Sequence, residues 1–241
     1  MAVRAMFDRI ASRYDLLNHL LSLGRDVAWR RRAAESVVSE APAGPMADIA
    51  CGTGDMLLAL ARPDEGRPAG RLLVGVDVSS AMLKLAADKV RRRGIRRIAL
   101  VAGDARQAPL DQGRFAGVTS AFGIRNFPDL AEGIRAMSAM LMPGGVLGIL
   151  EFTRDHARWM APLFRPYSRY VIPVLGRLIS RDPKAYKYLP KSVASYATSE
   201  EMWATIQAAG LVPVRQRSFS GGICRLFLAR RPGETTEGEG T

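Results

Sequence analysis

Three short runs in this chain combine backbone freedom with acid groups in a pattern that suits a nucleoside-like ligand. The run Asp48-Ile49-Ala50-Cys51-Gly52-Thr53-Gly54-Asp55 follows an apolar segment and opens a helical pattern. Glycines in such a turn let a ligand come closer to the backbone than a Cβ permits. A dinucleotide fingerprint would need a third glycine three residues after Gly54, where this chain has Leu57. Asp77 closes a second apolar segment 23 residues after Gly54, the distance at which a carboxylate reaches ribose hydroxyls. Gly103-Asp104 closes a third and offers a carboxylate to an exocyclic adenine amine. One glycine turn, one ribose acid and one adenine acid describe S-adenosylmethionine better than NAD. The plainer alternatives are a tight turn for Gly52 and Gly54, a helix N-cap for Asp77 and a turn residue for Asp104. Their joint position at three consecutive strand ends favours binding.

Other reactive side chains carry less. Cys51 reads as a small buried filler rather than a nucleophile. His19 and His156 do not fall at strand ends, which suits solvated or capping roles, and Glu151 is the better acid/base reserve. Two cysteines and two histidines without ligand spacing argue against a metal centre.

The elements that must position these groups alternate in type from residue 46 onward. Apolar runs at 46–50, 72–76, 98–101, 116–121 and 146–152 read as parallel strands covered on both faces. Helical patterns fill 55–62, 80–92 and 129–141, with Ser79 or Ser80 as a cap and Pro143-Gly144-Gly145 stopping the third helix. Residues 211–219 and 223–229 read as a terminal hairpin about Ser220-Gly221-Gly222. The expected fold is α/β, a doubly wound, mostly parallel sheet of seven strands. Two segments stand outside that core. The first 40 residues read as two helices, with Phe7, Ile10, Ala11, Tyr14 and Leu17 on one face of the first. Residues 156–198 form a helical insertion. Both are expected over the carboxyl ends of the strands, as a lid at 1–40 and a substrate cap at 156–198, within a single domain of 1–231. Residues 232–241 read as a disordered tail.

Composition narrows the partners. Lys and Arg number 35 against 23 Asp and Glu, giving a net charge of +12. That excess admits nucleic acid, a membrane face or an acidic ligand. Arg30-Arg31-Arg32 and Arg91-Arg92-Arg93 fall on predicted helix surfaces, and no arginine run is interleaved with aromatics as an RNA-binding motif would be. No nucleic acid partner is therefore expected. Charges at Arg4, Asp8, Arg9 and Arg13 leave no room for a signal peptide, and two cysteines suit a reducing compartment. A cytoplasmic protein is expected, with peripheral contact at the inner face of the membrane through the insertion, where Trp159, Leu163 and Phe164 alternate with Arg158, Arg165 and Arg169. Oligomeric state stays open between monomer and homodimer.

The blocks DIACGTGD at 48–55, MFDRIASRYDLLNHLLSLGRDVAWRR at 6–31, FGIRNFPD at 122–129, LEFTR at 150–154 and YKYLPKSVASYATSEEM at 186–202 resemble the ubiquinone/menaquinone biosynthesis C-methyltransferases. The resemblance runs from Val3 to about Arg231 and implies a Rossmann-like class I methyltransferase. It implies S-adenosylmethionine held by Thr53, Asp77, Asp104 and Ala105, with Ala121 where relatives commonly carry Ser, beside Gly52 and Gly54, which the glycine turn itself offers to the cofactor. The implied reaction methylates a ring carbon of a prenylated quinol, demethylmenaquinol first and the benzoquinol precursor of ubiquinone second. Arg125 and Asn126 are then the candidate catalytic pair, the first as a fixed cation facing a phenolate and the second as a donor to a ring oxygen. The alternative for Arg125 is a simple ion pair with a carboxylate such as Asp129. Tyr14 either covers the reacting groups or packs, and Asp15 and Asn18 fix the lid helix to the core. Other acceptors compatible with the chain are a sterol or phospholipid amine and, from the arginine content alone, RNA.

Overall fold

The computed structural model describes residues 2–62, 70–107, 110–155 and 197–233. Helices α1 (Ala2–Leu21) and α2 (Arg25–Glu40) precede β1 (Met46–Ile49), α3 (Asp55–Ala61), β2 (Leu73–Asp77), α4 (Ser80–Arg92), β3 (Ile98–Ala102), β4 (Phe115–Ala121) and α5 (Leu130–Met140). Strand β5 (Leu141–Phe152), helix α6 (Ser199–Ala208) and strands β6 (Val212–Phe219) and β7 (Cys224–Arg230) follow. Their sheet has the order β3-β2-β1-β4-β5-β7-β6, parallel from β3 to β5 and antiparallel where β7 meets β5 and β6. The chain winds outward from β1 in one direction through β2 and β3, then returns to start again at β4. The crevice between β1 and β4 is therefore the switch point at which doubly wound sheets hold ligands.

Local sequence explains most boundaries. Met82, Ala86 and Val90 repeat at helical spacing and bury one face of α4. The Ser79 hydroxyl caps that helix by accepting from the Met82 N–H, and Gly94, at φ +64°, ends it in the left-handed region. One core layer packs Trp29, Ala33, Leu57 and Leu60 on one side of the sheet, and a second packs Ile134, Met137, Met202 and Ile206 on the other.

Two expectations need correction. Pro143-Gly144-Gly145 does not stop α5, which ends at Met140. The tripeptide lies inside β5, where the pairing register with β4 shifts, and Gly144 takes φ +76° there. A proline–glycine pair ends helices and kinks strands alike, and sequence does not separate the two roles. Strand β3 is not covered on both faces; it forms a sheet edge with Ala99 and Ala102 exposed. The expected insertion at 156–198 lies outside the described residues except for 197 and 198.

Candidate functional site

A cavity of about 240 Å³ opens at the carboxyl ends of β1, β2, β3 and β4. Of the residues expected to bind the cofactor, Gly52, Thr53, Asp77, Asp104 and Ala121 line it. Gly52 has φ +54°, and a Cβ added to it would meet nothing within 4 Å. The glycine thus leaves open space over a bare backbone, the condition a closely approaching ligand requires. Asp77 organises this turn, its carboxylate accepting the Gly52 N–H at 2.8 Å and the Ser79 N–H at 2.8 Å. Burial raises the Asp77 carboxyl above its ordinary range against the pull of those two N–H groups. Gly54 serves packing instead: at φ +86° it caps α3, and a Cβ there would press on Ala86 of α4 at 3.1 Å.

Asp104 is less available than its position suggested. Arg106 holds both its oxygens, through Nη2 at 2.8 Å and Nε at 3.1 Å, and keeps the carboxyl below the usual range. The two residues are brought together by the 3-10 turn Ala105–Gln107 that follows β3. Thr53 is also engaged. Its hydroxyl donates to Asp15 of α1 at 2.5 Å and accepts from Lys89 of α4 at 2.9 Å. Lys89 in turn reaches Asp15 at 2.7 Å and Asp55 at 2.5 Å. Asp15 therefore ties α1 to the wound core, whereas Asn18 supplies its carbonyl to the Ser22 N–H at the helix end. A second tie joins Asp8 of α1 to the Ser79 hydroxyl at 2.5 Å. Phe7 and Tyr14, edge to face at 5.8 Å, form the α1 wall of the cavity.

The expected catalytic pair divides. Asn126 lines the cavity. Arg125 is not among the lining residues; its side chain is 6% exposed and pairs with the fully buried Glu151 at 2.7 Å. The partner is thus Glu151 on β5, not Asp129, which caps α5 by accepting from the Glu132 N–H. Glu151 is correspondingly a structural counter-ion in this arrangement rather than a reserve acid. His19 is partly solvated, its side chain 40% exposed, and its Nδ1 lies 2.9 Å from Asp26. His19, Asp26 and Asp55 converge within 4.8 Å, but Arg30 and Lys89 already neutralise the two carboxylates. Burial pushes both thiols, Cys51 and Cys224, well up, so neither is a thiolate nucleophile at neutral pH. His156 lies outside the described residues.

Several site residues escaped sequence reasoning. Ala50 and Phe122 take φ +57° and +59° at the ends of β1 and β4, a conformation costly for non-glycine residues and concentrated at functional sites. Gly123 allows this approach, since a Cβ there would sit 2.6 Å from the Ala50 Cβ. Arg30, expected on a helix surface, is 7% exposed and lines the cavity with Arg106 and Asp48. The signal for Arg30 was the four-residue step from Asp26, which sets the two on one helix face. Asp48 accepts from the Thr119 hydroxyl at 2.7 Å, and burial raises its carboxyl to about 7.

A doubly wound sheet with a glycine turn and a ribose-spaced acid at its switch point is a nucleotide-binding arrangement, and the family match makes it that of an S-adenosylmethionine-dependent methyltransferase. The chain belongs to the ubiE/COQ5 methyltransferase family, whose model matches residues 1–231. It is 40% identical to the demethylmenaquinone methyltransferase of Bacteroides fragilis, over 95% of this chain and 92% of that one. It is 39% identical to the protein of the same name from Thermus thermophilus, over 94% and 100%. With the ubiquinone/menaquinone biosynthesis C-methyltransferase UbiE of Geotalea uraniireducens it shares 37%, over 95% and 96%. Among solved structures, a SAM-dependent methyltransferase from Aquifex aeolicus matches at TM-score 0.58 and 15% identity, covering 82% of this chain and 89% of that one. The [4+2]-cyclase SpnF matches at 0.65 and 16%, covering 96% and 95%. At those identities the structures speak for the fold, and a cyclase among them shows that the fold alone does not fix the reaction.

Proposed function

We propose that this protein transfers a methyl group from S-adenosylmethionine to a ring carbon of a reduced prenylated quinone, with demethylmenaquinol as acceptor and the benzoquinol precursor of ubiquinone as a second. The whole-length match to relatives that carry this name supports the reading. The open backbone at Gly52, held by Asp77, fits the cofactor. When bound, that cofactor supplies an electrophilic methyl group on a sulfonium.

The chain's own residues must then bring the ring carbon into line and favour the phenolate that makes it nucleophilic. Positioning supplies roughly 7–11 kcal/mol in the best cases. Asn126, at the cavity wall, donates its amide to a ring oxygen. Arg125 holds the turn that presents Asn126, anchored on Glu151. Phe7 and Tyr14 cover the cavity from α1 and exclude water.

A prenylated acceptor also asks for a membrane-facing surface. Leu16, Leu20, Leu23 and Val27 are exposed around the α1–α2 corner beside Arg25, which supports peripheral contact at the cytoplasmic face. No helix among the described residues is long and apolar enough to cross a membrane.

The test in cells is mass spectrometry of the quinone pool after deletion of the gene. The demethylated quinone should accumulate and disappear again when the wild-type chain, but not Asp77→Ala, is restored. An unchanged quinone pool would refute the assignment.

A further inference from the structure

Arg30 and Arg106 are the cationic side chains on the cavity wall among the described residues. Arg106 is committed to Asp104 and reaches Glu132 at 3.4 Å. Arg30 is placed differently. It rises from α2 with its side chain 8% exposed, its Nη1 2.5 Å from Asp26 Oδ2 and its guanidinium 4.9 Å from the Phe122 ring centre. Among the described residues Nη1 alone has an acceptor, and no nitrogen of Arg30 is a buried orphan. The rest of the fork is therefore turned to the cavity that Arg30 lines. Asp26 is itself fixed, accepting from Ser22 Oγ at 2.7 Å and lying against His19. Burial opposes ionisation of Asp26, but Arg30, Ser22 and His19 outweigh it and hold the carboxyl below its ordinary value. A guanidinium gripped on one side and stacked on a ring is a preorganised receptor for a planar anion.

We infer that Arg30 receives the α-carboxylate of the methionyl end of S-adenosylmethionine, making α2 part of the cofactor site. This rests on the reading that the cavity binds that cofactor. Along the sheet edge Asp104 follows β3, Asp77 ends β2, Gly52 follows β1 and Phe122 follows β4, in the spatial order β3-β2-β1-β4. Neighbouring strands stand about 4.8 Å apart. Adenosine over β3 and β2 thus carries its amino-acid tail across β1 toward β4, where Arg30 lies over Phe122. The carboxylate is the one anionic group on that ligand.

Calorimetric titration separates this role from a general one. S-adenosylhomocysteine carries the carboxylate, whereas 5′-methylthioadenosine keeps the nucleoside and thioether but lacks the amino-acid tail. Arg30→Met should weaken binding of S-adenosylhomocysteine by about 30- to 100-fold, as loss of a bidentate charged contact does, and leave 5′-methylthioadenosine within about twofold of wild type. Arg30→Lys should recover part of the loss. Decarboxylated S-adenosylmethionine should bind wild type and Arg30→Met equally weakly, closing the cycle. Unchanged affinity for S-adenosylhomocysteine overturns the inference, as does an equal loss for both ligands. Wild-type protein that binds neither S-adenosylmethionine nor S-adenosylhomocysteine overturns the cofactor reading itself, a distinct result.

Discussion

Asp48 carries the clearest single-residue consequence. Its carboxyl is fully buried and raised to about 7, with desolvation as the main cause and the Thr119 hydrogen bond and Arg30 pulling the other way. The unfolded chain releases that proton near pH 4, so between about 4 and 7 the folded protein binds more protons than the unfolded one. Stability therefore falls as pH rises through this window and is flat with respect to this group above it. Asp48→Asn keeps an acceptor for Thr119 and removes the titration. The variant should gain over wild type by up to a few kcal/mol at pH 8 and by less at pH 5, read as urea midpoints at the two values. A difference that does not change with pH would show that Asp48 does not titrate there. At this scale the sequence disclosed the groups whose neighbours are close in the chain. Gly52 and Asp77 were legible because a glycine turn and a strand-end acid keep fixed spacing. Arg30, Phe122 and the Arg125–Glu151 pair were not, because their meaning comes from partners brought in by tertiary contact.

Among the elements, α1 is held over the site by polar ties. Lys89 bridges Asp15 and Asp55 and touches Thr53, while Asp8 meets the cap residue Ser79. Lys89→Met leaves Asp15 and Asp55 facing one another without their cation. The tie is partly solvated, which limits its worth to about 1–2 kcal/mol, so amide exchange across 2–21 should quicken roughly tenfold while strands β1 and β4 keep their protection. Exchange in α1 that stays at the wild-type rate would show that the helix is held by its apolar face alone. The element reading from sequence was close where amphipathic period and cap agree: 80–92 was the expected span and Ser80–Arg92 the observed one. It failed at Pro143-Gly144-Gly145, where β5 begins at Leu141 and runs through the tripeptide. Strand pairing with β4 overrides the local breaker signal there, at the cost of a bulge.

For the whole molecule, the net charge of +12 first admitted three kinds of anionic neighbour. Part of that charge is structural, since Arg30, Lys89, Arg106 and Arg125 pair with acids around the cavity. For the proposed membrane contact, the exposed Leu16, Leu20 and Leu23 of the α1–α2 corner lie beside the exposed Arg25, and each cation near an anionic surface contributes about 1 kcal/mol. Co-sedimentation with vesicles containing anionic lipid should capture the protein at low salt, and Leu20→Asp with Leu23→Asp should release it. Equal recovery of both proteins in the pellet would remove this corner from the contact. The central claim is the reaction. Purified protein incubated with demethylmenaquinol and S-adenosylmethionine carrying an isotopically labelled methyl group gives its answer by mass spectrometry of the quinone. The account predicts one labelled methyl on the ring carbon and S-adenosylhomocysteine in equal amount. An unlabelled quinone, from protein that binds S-adenosylmethionine in the same tube, would contradict it.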